Sequence, residues 1–169
     1  MEYISSDTNV WIDFFSISAL KVPFKLDYEY VMYYEAVEAE IAYPAGLKEE
    51  LKQLGLHSVD ITTEEFVYAN EITALYPKLS AFDRIALAIA AKREIILLTG
   101  DASLRKAALK EGVDVIGTIG LLDKLLYEEK IDRHEYLKYL QKLSDINGGV
   151  VRLPHSELQE RLDKYKTSK

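Results

Sequence analysis

Along this chain the apolar positions switch between two periods. Short apolar or alternating runs of strand length give way to stretches in which apolar residues recur every third or fourth position, as in amphipathic helices. Tyr3-Ile4-Ser5-Ser6 predicts a strand, and after Asp7-Thr8-Asn9 the residues Val10, Trp11, Phe14 and Phe15 take helical spacing. Asp27 to Tyr33 alternates and is rich in Tyr and Val, which predicts a second strand leading into the helix EAVEAEIA. Pro44 and Gly46 end that helix. Leu47, Leu51 and Leu54 then line one side of a short helix stopped by Gly55. Ser58 to Ile61 predicts a third strand, and Thr63 with Glu65 and Phe66 opens a helix reaching towards Tyr76-Pro77.

The chain is organised around Leu79 to Asp101, which reads LSAFDRIALAIAAKREIILLTGD. Ser80 and Asp83 form a capping box. The apolar residues that follow (Ile85, Leu87, Ala88, Ile89, Ala91) cover most of the helix circumference, so this helix is expected to be buried. Ile95 to Leu98 is a continuous apolar run, as a strand covered on both faces requires, and Thr99-Gly100-Asp101 ends it. A helix through Leu104, Ala107 and Ala108 stops at Gly112, and Val113 to Ile116 form another strand. Helices follow around Leu121–Leu126 and Tyr136–Leu143, then a loop at Asn147-Gly148-Gly149, then a last helix for which Ser156 and Gln159 suggest a capping box. Strands alternating with helices predict an α/β fold: a mostly parallel sheet of four to five strands covered on both faces, with extra C-terminal helices.

Composition narrows the class. A chain of 169 residues, 49% apolar and 29% charged, suits one globular unit with one sizeable core. It has no cysteine, which removes disulfides, thiolate catalysis and zinc-finger ligation and fits a reducing compartment. The acidic start Met1-Glu2-Tyr3 and the lack of a long apolar segment predict neither a secretory leader nor a membrane span, so a cytoplasmic protein is expected. The net charge of −7 argues against a surface that coats nucleic acid through Lys and Arg. It leaves room for an enzyme whose acids are gathered around metal ions.

Three aspartates fall at one kind of place: Asp7 after the first strand, Asp83 at a helix start and Asp101 after the buried strand. Each alone reads as a helix cap, an ordinary use of Asp at the positive end of the helix dipole. Together they point further, because a parallel sheet brings its strand ends to one edge, where ligands of open α/β sheets are held. A fourth acid is expected from the helix after the second strand, where Glu35, Glu38 and Glu40 compete; Val37 and Ile41 point inward and leave Glu38 and Glu40 on the flanks. Asn9 and Thr99 are candidates to orient the carboxylates, and Arg84, Arg105 and Lys106, near Asp83 and Asp101 in sequence, are candidates to meet phosphates. His57, His134 and His155 have no ligand spacing and read as surface residues. Tyr28, Tyr30, Tyr33 and Tyr34 read as core or interface.

These segments resemble a PIN domain and, within that superfamily, the VapC-like toxin ribonucleases, up to about Leu126. SDTNVWID is similar to the family's opening strand and turn, with its first metal-binding acid at Asp7. EAVEAEI is similar to the second-acid segment, whose glutamate precedes an aliphatic residue and so maps onto Glu40, with Glu38 as the shifted alternative. LSAFDRIALAIA resembles the helix carrying the third acid, Asp83, and IILLTGDASLRKAA the strand, turn and helix carrying the fourth, Asp101. GTIGLLDKLLYEEKID is similar to an extension found in a PIN-related subgroup with extra C-terminal helices.

The resemblance implies a three-layer α/β/α PIN-like fold, with residues 1–126 as the nuclease core and 127–169 as a helical extension packed on it. It also implies a metal-dependent endoribonuclease in which Asp7, Glu40, Asp83 and Asp101 hold Mg²⁺ or Mn²⁺ and act in catalysis. Hard carboxylate oxygens suit those ions. The expected partners are an RNA substrate, a small antitoxin protein of a type II toxin–antitoxin pair and, for the C-terminal helices, a second copy of the chain. Two alternatives belong beside it: a catalytically silent PIN-like binding or scaffolding protein, and a PIN nuclease of RNA processing. A phosphotransfer enzyme with Asp7 as nucleophile is weaker, because the second Asp such enzymes carry two positions later is Asn9 here.

Overall fold

The computed structural model describes residues 2–166. Its centre is a five-stranded, all-parallel sheet in the order β3-β2-β1-β4-β5. The strands are β1 (Glu2–Ser6), β2 (Tyr28–Tyr33), β3 (His57–Val59), β4 (Ile96–Leu98) and β5 (Val115–Ile116). Nine helices connect and cover them among the described residues: α1 (Thr8–Ser16), α2 (Tyr34–Glu40), α3 (Leu47–Leu54), α4 (Thr63–Glu71), α5 (Ala81–Arg93), α6 (Ala102–Lys110), α7 (Thr118–Tyr127), α8 (Arg133–Ile146) and α9 (His155–Lys166). This is the three-layer α/β/α arrangement that the alternation of periods predicts.

Side chains along a strand point alternately to opposite faces, and the two hydrophobic clusters follow that rule. Leu97 belongs to the smaller cluster, with Leu87 and Ala90 of α5 and Leu104, Ala107 and Ala108 of α6. Leu98, its neighbour, belongs to the larger cluster on the other face, with Trp11 and Phe14 of α1 and Leu121 and Leu122 of α7. On β1 the same alternation puts Ile4 in the larger cluster, while the Ser5 hydroxyl donates to the Ala86 carbonyl of α5 at 2.8 Å. A small residue there lets the helix lie close to the sheet. Leu140 and Leu143 of α8 and Leu158 and Leu162 of α9 complete the larger cluster.

The helix ends are the best-marked features of the chain. Ser80 and Asp83 make the expected capping box on α5, whose Ala86 to Ala90 are all buried. Thr62 and Glu65 make another on α4, which ends at Glu71, before the expected Tyr76-Pro77. The last helix differs from expectation. It starts at His155, so Ser156 lies inside it rather than capping it, and the Gln159 amide donates instead to Asp163 at 2.8 Å. The residue that serves the start of α9 is Pro154: its own nitrogen has no hydrogen to donate, and its carbonyl accepts the Glu157 and Leu158 N–H groups. No helix among the described residues is long and apolar enough to cross a membrane.

Candidate active site at the carboxyl edge of the sheet

β1 ends at Ser6, and Asp7 caps α1 just beyond it. Its Oδ1 accepts the Thr8 N–H at 2.9 Å, its Oδ2 accepts the Thr99 hydroxyl at 2.9 Å, and its own N–H donates to the Leu98 carbonyl at 2.9 Å. The residue is 8% exposed. Burial, with the nearby Asp83 carboxylate next in importance, pushes its carboxyl up to about 7, against the pull of the Thr99 and Thr8 hydrogen bonds; Glu40 adds to the rise.

Asp101 occupies the matching place after β4, where it caps α6 by accepting the Leu104 N–H at 2.7 Å. Thr99 joins the two aspartates: its hydroxyl donates to Asp7 while its oxygen accepts the Asp101 N–H at 3.1 Å. Asn9 closes the turn by accepting the Gly100 N–H at 3.1 Å through Oδ1. Thr99 thus touches the Asp7 carboxylate directly, whereas Asn9 reaches only the backbone of the turn that leads to Asp101.

Tertiary contacts separate the two glutamates. Glu38 is exposed and pairs with Lys48 at 2.9 Å and Lys52 at 3.5 Å, which holds its carboxyl below the usual range. Glu40, the last residue of α2, instead accepts the Thr8 hydroxyl at 3.1 Å. Burial raises its carboxyl, and Asp83 adds to the rise against the Thr8 hydrogen bond. Asp83 lies in the first turn of α5, where its Oδ2 accepts the Ser80 N–H at 2.9 Å. Asp7, Glu40 and Asp83 therefore feel one another's charge. The positive ends of α1, α5 and α6, at which Asp7, Asp83 and Asp101 sit, offset part of that repulsion. Among the described residues no three His, Asp or Glu side chains stand close enough to share a metal ion as they lie, and Asp83 and Asp101 each commit an oxygen to a helix start.

The cations around this edge differ in freedom. Arg84 donates to the Leu79 carbonyl at 3.0 Å, and Lys106 is exposed. Arg105 leans over Gly117: a Cβ at that glycine would meet its Nη2 at 2.7 Å. Arg105 also lines a cleft of about 420 Å³ beside the Asp101 turn, whose far wall comes from Leu153, Pro154, Glu157 and Arg161. Sequence reasoning missed these four, because they lie far along the chain from the turn they face. His57, His134 and His155 are exposed, as expected, and His57 pairs with Glu29. Tyr30 is buried against Trp11 and Phe24. Tyr33 and Tyr34 contact each other near Phe82, which precedes Asp83, and Tyr34 is 42% exposed.

A family model described as a PIN domain matches residues 3–167. No curated protein and no solved structure matches the chain.

Proposed function

The chain belongs to the PIN domain family, whose members are generally nucleases, and from that premise we propose that it is a metal-dependent endoribonuclease acting through Asp7, Glu40, Asp83 and Asp101. The observation that carries this reading is the placement of a buried Asp7, within electrostatic reach of Asp83 and Glu40 and joined to Asp101 through Thr99, at the carboxyl edge of a parallel sheet. A carboxyl pushed up to about 7 by burial and by like charge is one that a divalent cation would relieve.

The residues present suit Mg²⁺ or Mn²⁺: every candidate ligand is a hard carboxylate oxygen, and PIN domains usually use divalent metals. When bound, such an ion supplies an activated water and neutralises charge developing on the phosphodiester. The chain's own part is positional. Thr99 and Thr8 fix the Asp7 carboxylate, Thr8 also holds Glu40, and Asn9 holds the Gly100 turn from which Asp101 projects. Arg105 is the cation best placed to meet a substrate phosphate, with Arg84 and Lys106 behind it.

In this reading residues 1–126 form the nuclease core and 127–169 an extension, whose α8 and α9 pack on it through Leu140, Leu143, Leu158 and Leu162; Met1 and residues 167–169 lie outside the described residues. We assign the protein to the VapC-like toxin side of a type II toxin–antitoxin pair, with RNA as substrate, a small antitoxin as partner and a second copy of the chain as a further partner. The deciding experiment is cleavage of single-stranded RNA with Mg²⁺ or Mn²⁺. Activity that disappears in Asp7→Asn and Asp101→Asn supports the reading; equal turnover by these variants overturns it. The capping bonds of Asp7, Asp83 and Asp101 favour one alternative, a silent PIN-like scaffold, for which divalent ions would leave thermal stability unchanged.

A further inference from the structure

Beside Asp101 lies a cleft that the four-acid reading does not use. One wall comes from the edge of the sheet and the start of α7, through Val115, Ile116, Gly117 and Ile119; the other comes from Leu153, Pro154, Glu157 and Arg161, at and just before α9. Its volume of about 420 Å³ lies in the range of small-molecule sites. We propose that this cleft holds one nucleotide of a single-stranded RNA next to the phosphate under attack, so that the C-terminal extension supplies half of a substrate subsite. The proposal rests on the nuclease reading and adds the part played by α9.

Three features carry it. The first is continuity: Gly100 and Ala102, which flank Asp101, line the cleft, so its mouth is within reach of a nucleotide adjoining a phosphate held at Asp101. The second is charge. Arg105 is half-buried at the rim with no acid bonded to it among the described residues, while Arg161 is neutralised by Asp123, which it meets through Nε at 2.9 Å and Nη2 at 2.8 Å. Arg105 is thus the cation left for a phosphate, and Gly117 is where a side chain would displace it.

The third is a preorganised far wall. Asp123 of α7 accepts both Arg161 of α9 and the Tyr136 hydroxyl of α8, which locks the guanidinium plane. Asn147 fixes Leu153 by accepting its N–H at 2.7 Å and donating to its carbonyl at 2.9 Å. Unpaired RNA bases are commonly held by stacking on aromatic side chains or guanidinium planes and by hydrogen bonds to their edges, and an extruded base can also be sandwiched by apolar side chains. Here Ile116, Ile119, Leu153 and Arg161 offer the faces. The Glu157 carboxylate offers an acceptor suited to an exocyclic amino group.

The test uses a fluorescein-labelled single-stranded RNA of mixed sequence, roughly 12 nucleotides long to span a one-domain site. Binding is read by anisotropy with Mg²⁺ in the full-length Asp101→Asn background. Adding Arg105→Ala or Leu153→Trp is expected to weaken binding about tenfold, which corresponds to about 1.4 kcal/mol. Gly117→Ala, whose methyl would displace the Arg105 Nη2 it meets at 2.7 Å and also crowd the Thr99 carbonyl at 3.3 Å, keeps the Arg105 charge and is expected to weaken it less. In the wild-type background Glu157→Gln is expected to change which base flanks the cut. Circular dichroism confirms folding; if Leu153→Trp misfolds, Arg105→Ala and Glu157→Gln decide. Unchanged affinity in Arg105→Ala together with an unchanged base preference in Glu157→Gln overturns the cleft proposal. Loss of the nuclease reading looks different: the wild type would then cut no RNA, while the anisotropy of Arg105→Ala still reports on the cleft; Asp101→Asn that cuts as the wild type does would reassign the acids alone.

Discussion

Replacing Asp7 by Asn should make the metal-free protein more stable at pH 8. Asp7 is 8% exposed and its carboxyl is held at about 7 in the fold against 3.8 for the free group. The folded state therefore keeps its proton longer than the unfolded chain does, and stability contributed by the neutral acid is lost as pH rises from about 4 to about 7. Above that window the buried charge costs about 4 kcal/mol. Asn removes the charge and weakens the hydrogen bonds with Thr8 and Thr99, at a cost of about 1 kcal/mol, leaving a net gain of about 3 kcal/mol. For a chain of this length that is a rise in Tm of about 6–12 °C. Asp13, buried and raised to about 6 by that burial, changes wild-type stability with the same sign, so the difference between wild type and variant is the informative quantity. Thermal melts in EDTA across pH 4–8 should show the variant about 1 kcal/mol less stable than the wild type at the acid end, then crossing it and exceeding it towards pH 8. Mg²⁺ or Mn²⁺ should then raise the wild-type Tm at pH 8 and not that of the variant. A variant no more stable at pH 8, or a difference that is flat with pH, would refute the argument that Asp7 is a strained, cation-seeking acid.

Other outcomes follow from the same geometry. Asp101→Asn should keep its helix cap, since Asn is as good an N-cap, and melt within about 0.5 kcal/mol of wild type, while RNA cleavage falls below detection. Glu40→Gln should abolish cleavage and Glu38→Gln should leave it intact, because Glu38 faces Lys48 and Lys52; initial rates on one RNA at fixed Mg²⁺ settle the comparison, and the reverse order would reassign the acid. Arg93→Met should destabilise the fold by about 3 kcal/mol by stranding a buried charge: Glu65 is 1% exposed and accepts Arg93 at 2.7 and 3.1 Å. Urea melts at neutral pH measure it, and a loss below about 0.5 kcal/mol, the range of a surface pair, would show the contact to be dispensable.

Much of the fold was legible in local spacing. Ser80 and Asp83 mark the start of α5 because a capping box needs only residues three apart, and Ile95 to Leu98 read as a buried strand because a sheet covered on both faces leaves no polar alternation. The positions of the three aspartates were legible too, since Asp7 and Asp101 follow a strand and Asp83 opens a helix, whereas Glu40 ends α2 and carries no such local mark. The Ser156 cap was misplaced because Pro154 satisfies the N–H groups of the first turn with its own carbonyl, and composition does not distinguish a capping serine from one inside that turn.

What the sequence alone determined, then, was the layer architecture and the residue types at its carboxyl edge, because both depend on neighbours a few positions apart. Only the tertiary structure decided that Glu40 bonds Thr8 beside Asp7 while Glu38 pairs with Lys48, since Thr8 lies 32 residues from Glu40 and Lys48 ten from Glu38. It likewise decided that Asp7 is buried, which pushes its carboxyl up, and that α9 stands across a cleft from Arg105. Charge, burial and cleft shape depend on distances in space, which local periodicity does not encode.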